Sequence, residues 1–164
     1  MLRRTLLIFF IVSLYGCNFI VYKNTENAKT AEINAQLALH YLANKNPAFG
    51  KSKLLLAQKQ APSDPAIWYM SGYFWEHAGN VATAEKDYLK AISLAPDSGS
   101  AQNNYGVFLC RQEKYAAAIS HFDLAASDPN YLYPAEAYKN AASCALKIPN
   151  KPLARKYFSL AKGH

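Results

Sequence analysis

The sequence is short of glycine, with 7 in 164 residues, and of cysteine, with 3. About half of the residues are apolar, and this composition suits a packed helical core. Catalytic signatures are missing too. There is no HExxH, no paired CxxC, no GxSxG and no glycine-rich phosphate loop. His40, His77, His121 and His164 share no ligand spacing, and the carboxylates are scattered. These absences argue against metal, nucleophilic and phosphate-transfer chemistry. The expectation is a non-enzymatic protein with no cofactor, no metal and no small-molecule substrate.

A long apolar run is also lacking. Leu6 to Tyr15 is apolar over ten residues, whereas a membrane-spanning helix needs ~20. Arg3 and Arg4 precede it, and Leu14-Tyr15-Gly16-Cys17 follows. This order resembles a lipoprotein signal peptide, with Cys17 as the thiolate that takes the lipid. An uncleaved anchor with Cys17 a bystander is the alternative. The expected organisation is a signal peptide over 1–16, a lipidated cysteine and tether over 17–27, and a folded domain over 28–164. Asn18 rather than Asp after the cysteine favours the periplasmic face of the outer membrane.

Two cysteines remain, Cys110 and Cys144. In an oxidising compartment they form a disulfide or stay as two buried thiols; composition leaves both open. Acids are fewer than bases, 11 against 18. Much of the excess falls late, at Lys139, Lys147, Lys151, Arg155, Lys156 and Lys162. For an exported chain this points away from nucleic acid. It points towards anionic lipid headgroups or an acidic protein segment, or else marks a solvated basic face.

The fold is decided by repetition. Pro62 and Pro96 are 34 residues apart, the length of a tetratricopeptide unit of two antiparallel helices. The first unit, Ala31 to Pro62, carries Leu37-Ala38, Tyr41, Gly50, Leu54 and Ala57. The second, Pro65 to Pro96, carries Trp68, Gly72, Trp75, Ala84, Tyr88 and Ala91. The third starts near Gly99, with Tyr105-Gly106, Leu109, Ala118, Phe122 and Ala125. The fourth starts near Ala135, with Tyr138, Ala141-Ala142, Ala145, Ala154, Phe158 and Ala161. The expected fold is all-α, an α-α superhelix of about four units. Glycine in mid-helix carries roughly 1 kcal/mol less helix preference than alanine. Gly72 and Gly106 therefore imply close helix approach, with Tyr88 and Phe122 filling the space. Asp64-Pro65, Gly79-Asn80 and Lys151-Pro152 read as helix starts. The loop Ser127 to Pro134 is aromatic for a connection; the expectation is that Tyr131 and Tyr133 pack over the end of the stack, and a contact site is the alternative.

In such an array the first helix of each pair lines a concave groove. Its inward positions here are Tyr69, Tyr73, Glu76 and His77, then Asn103, Val107 and Arg111, then Lys139, Ser143 and Lys147. This aromatic, amide and basic surface suits an extended or helical peptide with apolar and acidic side chains.

The run Asn104-Tyr105-Gly106-Val107-Phe108-Leu109-Cys110-Arg111-Gln112 resembles the signature of the type IV pilus biogenesis lipoproteins, the PilF/PilW pilotin family. So do Ala125-Ala126-Ser127-Asp128-Pro129-Asn130-Tyr131, Asn140 and Cys144, and Ala31 to Leu37. Ala142 stands where the family often has glycine. The resemblance implies a non-enzymatic pilot that binds the pilus secretin and assists its assembly, localisation or stability. It also implies a bridge between Cys110 and Cys144. A general periplasmic scaffold for another envelope complex is the alternative.

Overall fold

The computed structural model describes residues 26–163, and their regular structure is entirely helical. The helices are α1 (residues 26–43), α2 (Pro47–Gln60), α3 (Pro65–His77), α4 (Val81–Leu94), α5 (Gly99–Arg111), α6 (Tyr115–Ser127), α7 (Pro134–Ala145) and α8 (Lys151–Lys162). They pair as α1/α2, α3/α4, α5/α6 and α7/α8, the four units that the proline spacing predicts. Helix α1 already includes residues 26 and 27, two positions before the expected start of the domain. Cys17 and the segment 1–16 lie outside the described residues. Among the described residues no helix is long and apolar enough to cross a membrane.

Local chemistry sets the helix boundaries. The Asp64 carboxylate accepts the Ala66 N–H at 2.8 Å, and Pro65 occupies the first helical position. Asn80 caps α4 through Thr83 N–H, and Asn150 caps α8 through Leu153 N–H, each at 3.1 Å. Each cap satisfies an amide that the helix leaves without a partner. Between the paired helices the chain reverses through one left-handed residue: Lys45 at φ 58°, Gly79 at φ 82° and Glu113 at φ 62°. These three are spaced by the same 34 residues as the prolines. Only glycine adopts this conformation without a Cβ penalty.

Packing between paired helices depends on small residues. A Cβ on Gly72 would come within 2.7 Å of the Tyr88 ring, and one on Gly106 within 2.8 Å of the Phe122 ring. Tyr88 and Phe122 are each 1% exposed. The fourth unit departs from this scheme. Phe158, expected as its seated aromatic, is 41% exposed, and Tyr157 is buried instead. Ala142 carries the methyl group that Gly72 and Gly106 lack, so the seat is filled. Tyr157 donates its hydroxyl hydrogen to Asp123 on α6 at 2.8 Å, tying the last pair to the one before.

The loop before α7 splits the expectation for its two tyrosines. Tyr131 is half-buried and its Cβ lies against Gly99. Asp128 holds the loop by accepting the Gly99 and Asn130 N–H groups, each at 2.8 Å. These bonds hold the Asp128 carboxyl below its usual range. Tyr133, by contrast, is 60% exposed. It sits at the N-cap of α7, directly before Pro134, and does not cover the stack.

Candidate functional site

The odd-numbered helices form one layer, and the predicted groove residues are distributed along it. They do not form one continuous surface; the structure divides them into three zones.

At the N-terminal end, Leu39, Leu42 and Ala43 of α1 and Tyr73 and His77 of α3 line a cavity of about 400 Å³. Tyr73 and His77 are one helical turn apart and their rings stack, with centroids 4.0 Å apart. His77 Nδ1 lies 2.9 Å from the Tyr73 carbonyl oxygen. A carbonyl can only accept, so Nδ1 carries the hydrogen. In the neutral ring Nε2 is then an acceptor. Tyr69 is half-buried and packs against the main core. Burial raises its hydroxyl pKa, and the charges of Asp64 and Glu32 add to this.

In the middle, Glu76 is closed rather than open. Its side chain is 7% exposed. One carboxylate oxygen accepts from Arg111 at 3.0 Å and from the Tyr88 hydroxyl at 3.2 Å. Burial, followed by the Glu76 charge, pushes the Tyr88 hydroxyl far above its ordinary range. Arg111 is the basic residue that α5 contributes to the expected groove. Here it spends an N–H on Glu76 across the α3/α5 boundary, although 45% of its side chain remains exposed. Asn103 is 6% exposed, and its amide oxygen accepts from Asn140 on α7 at 3.0 Å. It therefore works as a bond between helices and offers little to an incoming partner. Val107 is half-buried against the core.

At the far end Lys139, Ser143 and Lys147 are exposed on and just after α7. The Ser143 hydroxyl donates to the Lys139 carbonyl at 2.8 Å. The structure joins Cys110 on α5 to Cys144 on α7, with Cα atoms 5.9 Å apart and a sequence separation of 34. Among the described residues no three His, Cys, Asp or Glu side chains are grouped so as to hold a metal.

The sequence reading missed the α1 half of the cavity. Leu39, Leu42 and Ala43 have helical spacing, but the inward positions are assigned only for the second to fourth units. It also missed the Glu76–Arg111 pair. That pair was legible: 35 residues separate the two, so they occupy nearly equivalent places one unit apart.

Comparison with known proteins follows from this geometry. The tetratricopeptide repeat pattern matches residues 36–98 and 79–131, which together cover more than half of the chain. The chain belongs to the tetratricopeptide-repeat family. Relatives of this repeat array include an uncharacterized protein of Haemophilus influenzae, 31% identical over 115 residues, or 70% of this chain and 64% of that protein. The type IV pilus assembly protein PilF of Pseudomonas aeruginosa is 30% identical over 138 residues, 83% of this chain and 53% of its own. The array also superimposes on the crystal structure of PilW, a widely conserved type IV pilus biogenesis factor. The TM-score is 0.73 at 29% identity, covering 80% of this chain and 60% of that one. A Pseudomonas aeruginosa PilF structure shares the fold with a TM-score of 0.75 at 24% identity, covering 83% and 61%. The chain thus spans between half and two thirds of the length of these relatives.

Proposed function

We propose that the protein is a non-enzymatic, lipid-anchored factor on the periplasmic face of the outer membrane. It binds the secretin of the type IV pilus and assists its assembly, localisation or stability. The observation that carries this reading is similarity over most of the chain, in sequence and in helix arrangement, to proteins of type IV pilus biogenesis. The zones of the groove suit a segment with apolar side chains at one end and acidic side chains at the other. Its apolar side chains enter the Leu39–Leu42–Tyr73 cavity, and its acidic side chains lie towards Lys139 and Lys147. Between them the Arg111–Glu76 pair is neutral overall and adds no net charge to the groove.

Deleting the gene is expected to reduce secretin multimers in the outer membrane and to abolish surface pili. Normal multimers and normal twitching motility after deletion would refute the assignment. A crosslinked pull-down from the envelope that recovers a different complex would reassign the protein as a general scaffold. For the anchor, Cys17→Ala should release the chain from the membrane fraction.

A further inference from the structure

The charge of the described residues is unevenly placed. Residues 26–133 carry nine Lys or Arg against ten Asp or Glu, whereas residues 134–163 carry six Lys or Arg against Glu136 alone. All six cations are exposed. The ion pairs formed among the described residues, Arg111–Glu76 and Lys114–Glu85, use none of them.

Three of the six form a stripe on α8. Lys151, Arg155, Phe158 and Lys162 follow at spacings of four, three and four residues, which places them on one helix face. The stripe is about 16 Å long at 1.5 Å per residue. Ala154, Tyr157 and Ala161 hold another face of α8 in the core.

The same positions on the earlier second helices have a different character. On α6 they are Tyr115, Ile119, Phe122 and Ala126, of which Ile119 and Phe122 are buried, Phe122 in the Gly106 seat of its own partner helix α5. Helix α8 instead sets three cations around an exposed phenylalanine. A solvated helix face needs only polar residues, of either sign. Cations with no acid among them suit an anion. The helix dipole favours Lys162 in the last turn, but it disfavours Lys151 in the first turn, so helix stability does not account for the stripe as a whole.

We propose that this face of α8 docks on an anionic bilayer surface, with the cations over lipid phosphates and Phe158 at the headgroup boundary. The inference rests on the reading that the chain is tethered to a bilayer. The tether raises the local concentration of membrane, so a few charges suffice. A convex helix ridge meets a plane of phosphates along its whole length. An acidic peptide would instead gain its contacts in a groove.

The test is amine acetylation of the full-length protein on vesicles, with rates read for each lysine by mass spectrometry. On vesicles containing phosphatidylglycerol, Lys151 and Lys162 should react about threefold or more slowly than on phosphatidylcholine vesicles, and high salt should restore the rate. Lys86 and Lys90 on α4 should not change. Arg155→Glu should weaken the protection. Equal rates for Lys151 and Lys162 on both vesicle types would overturn the proposal. Protection by soluble polyglutamate, with none on phosphatidylglycerol vesicles, would overturn it in favour of an acidic protein segment. Flotation of the same samples reports the tether separately. A chain that floats on both vesicle types with equal acetylation rates refutes docking and leaves the tether standing.

Discussion

Reducing the Cys110–Cys144 bridge is expected to destabilise the array by about 3–4 kcal/mol, from the loop-closure entropy of a cross-link spanning 34 residues. Cys144 is fully buried and Cys110 half-buried. The reduced protein keeps both sulfurs in place and loses mainly the constraint on its unfolded chain, whereas a Cys144→Ala variant would add a cavity. With about 2.1 cal/mol/K of unfolding entropy per residue, the loss corresponds to a Tm lower by roughly 10 °C. The effect should also be local. Each unit touches only its neighbours, and the bridge ties α5 to α7. Hydrogen exchange should therefore accelerate most in α7 and α8 and least in α3. The assay is urea unfolding of oxidised and reduced protein, with the bridge first confirmed by a mass difference of two hydrogens. Oxidised and reduced unfolding free energies that differ by less than about 1 kcal/mol would refute the entropy argument. Uniform acceleration of exchange across all helices would refute its locality.

Gly72→Ala places a methyl within 2.7 Å of the buried Tyr88 ring. Overpacking outweighs the gain in helix preference, and thermal unfolding should show a net loss of about 1–2 kcal/mol. Arg111→Leu leaves the buried Glu76 carboxylate with the Tyr88 hydroxyl as its remaining hydrogen-bond partner of the two described. The loss should be about 1–2 kcal/mol, discounted because Arg111 is half exposed. Adding Glu76→Gln should recover much of it, and additive losses in the double variant would refute the coupling. Burial lowers the pKa of His121, whose Nδ1 lies 2.5 Å from the Gln102 amide oxygen. The unfolded chain then binds this proton more readily than the folded one, so stability should fall as pH drops below about 6.5. His121→Gln should flatten that limb of a Tm-against-pH curve; an unchanged slope would exclude His121 as its source.

The helical pairs were legible because period and packing use the same residues. The proline spacing, Gly72, Gly106 and the caps at Asp64 and Asn80 each state a local requirement that the structure meets. The groove was less legible, because a sequence shows which positions face inward but not what they spend their hydrogen bonds on. Asn103 and Glu76 occupy inward positions, yet both are used up by partners more than ten residues away. Phe158 shows the converse. The repeat pattern assigns it to the core, and the methyl group of Ala142 on the facing helix keeps it out. The α1 side of the cavity was not legible, because the inward positions are assigned from the second unit onward, and periodicity alone does not show that Leu39 and Leu42 meet Tyr73 across the α1/α3 boundary.

The left-handed turns at Lys45, Gly79 and Glu113 make the array modular for engineering. Cutting after Gly79 and after Glu113 excises 34 residues, Asn80 to Glu113, whose flanking turn residues share one backbone conformation. A second copy of that segment spliced in after Glu113 would leave one left-handed turn and enter the next in register. The groove could thus be lengthened by one unit without designing a new junction.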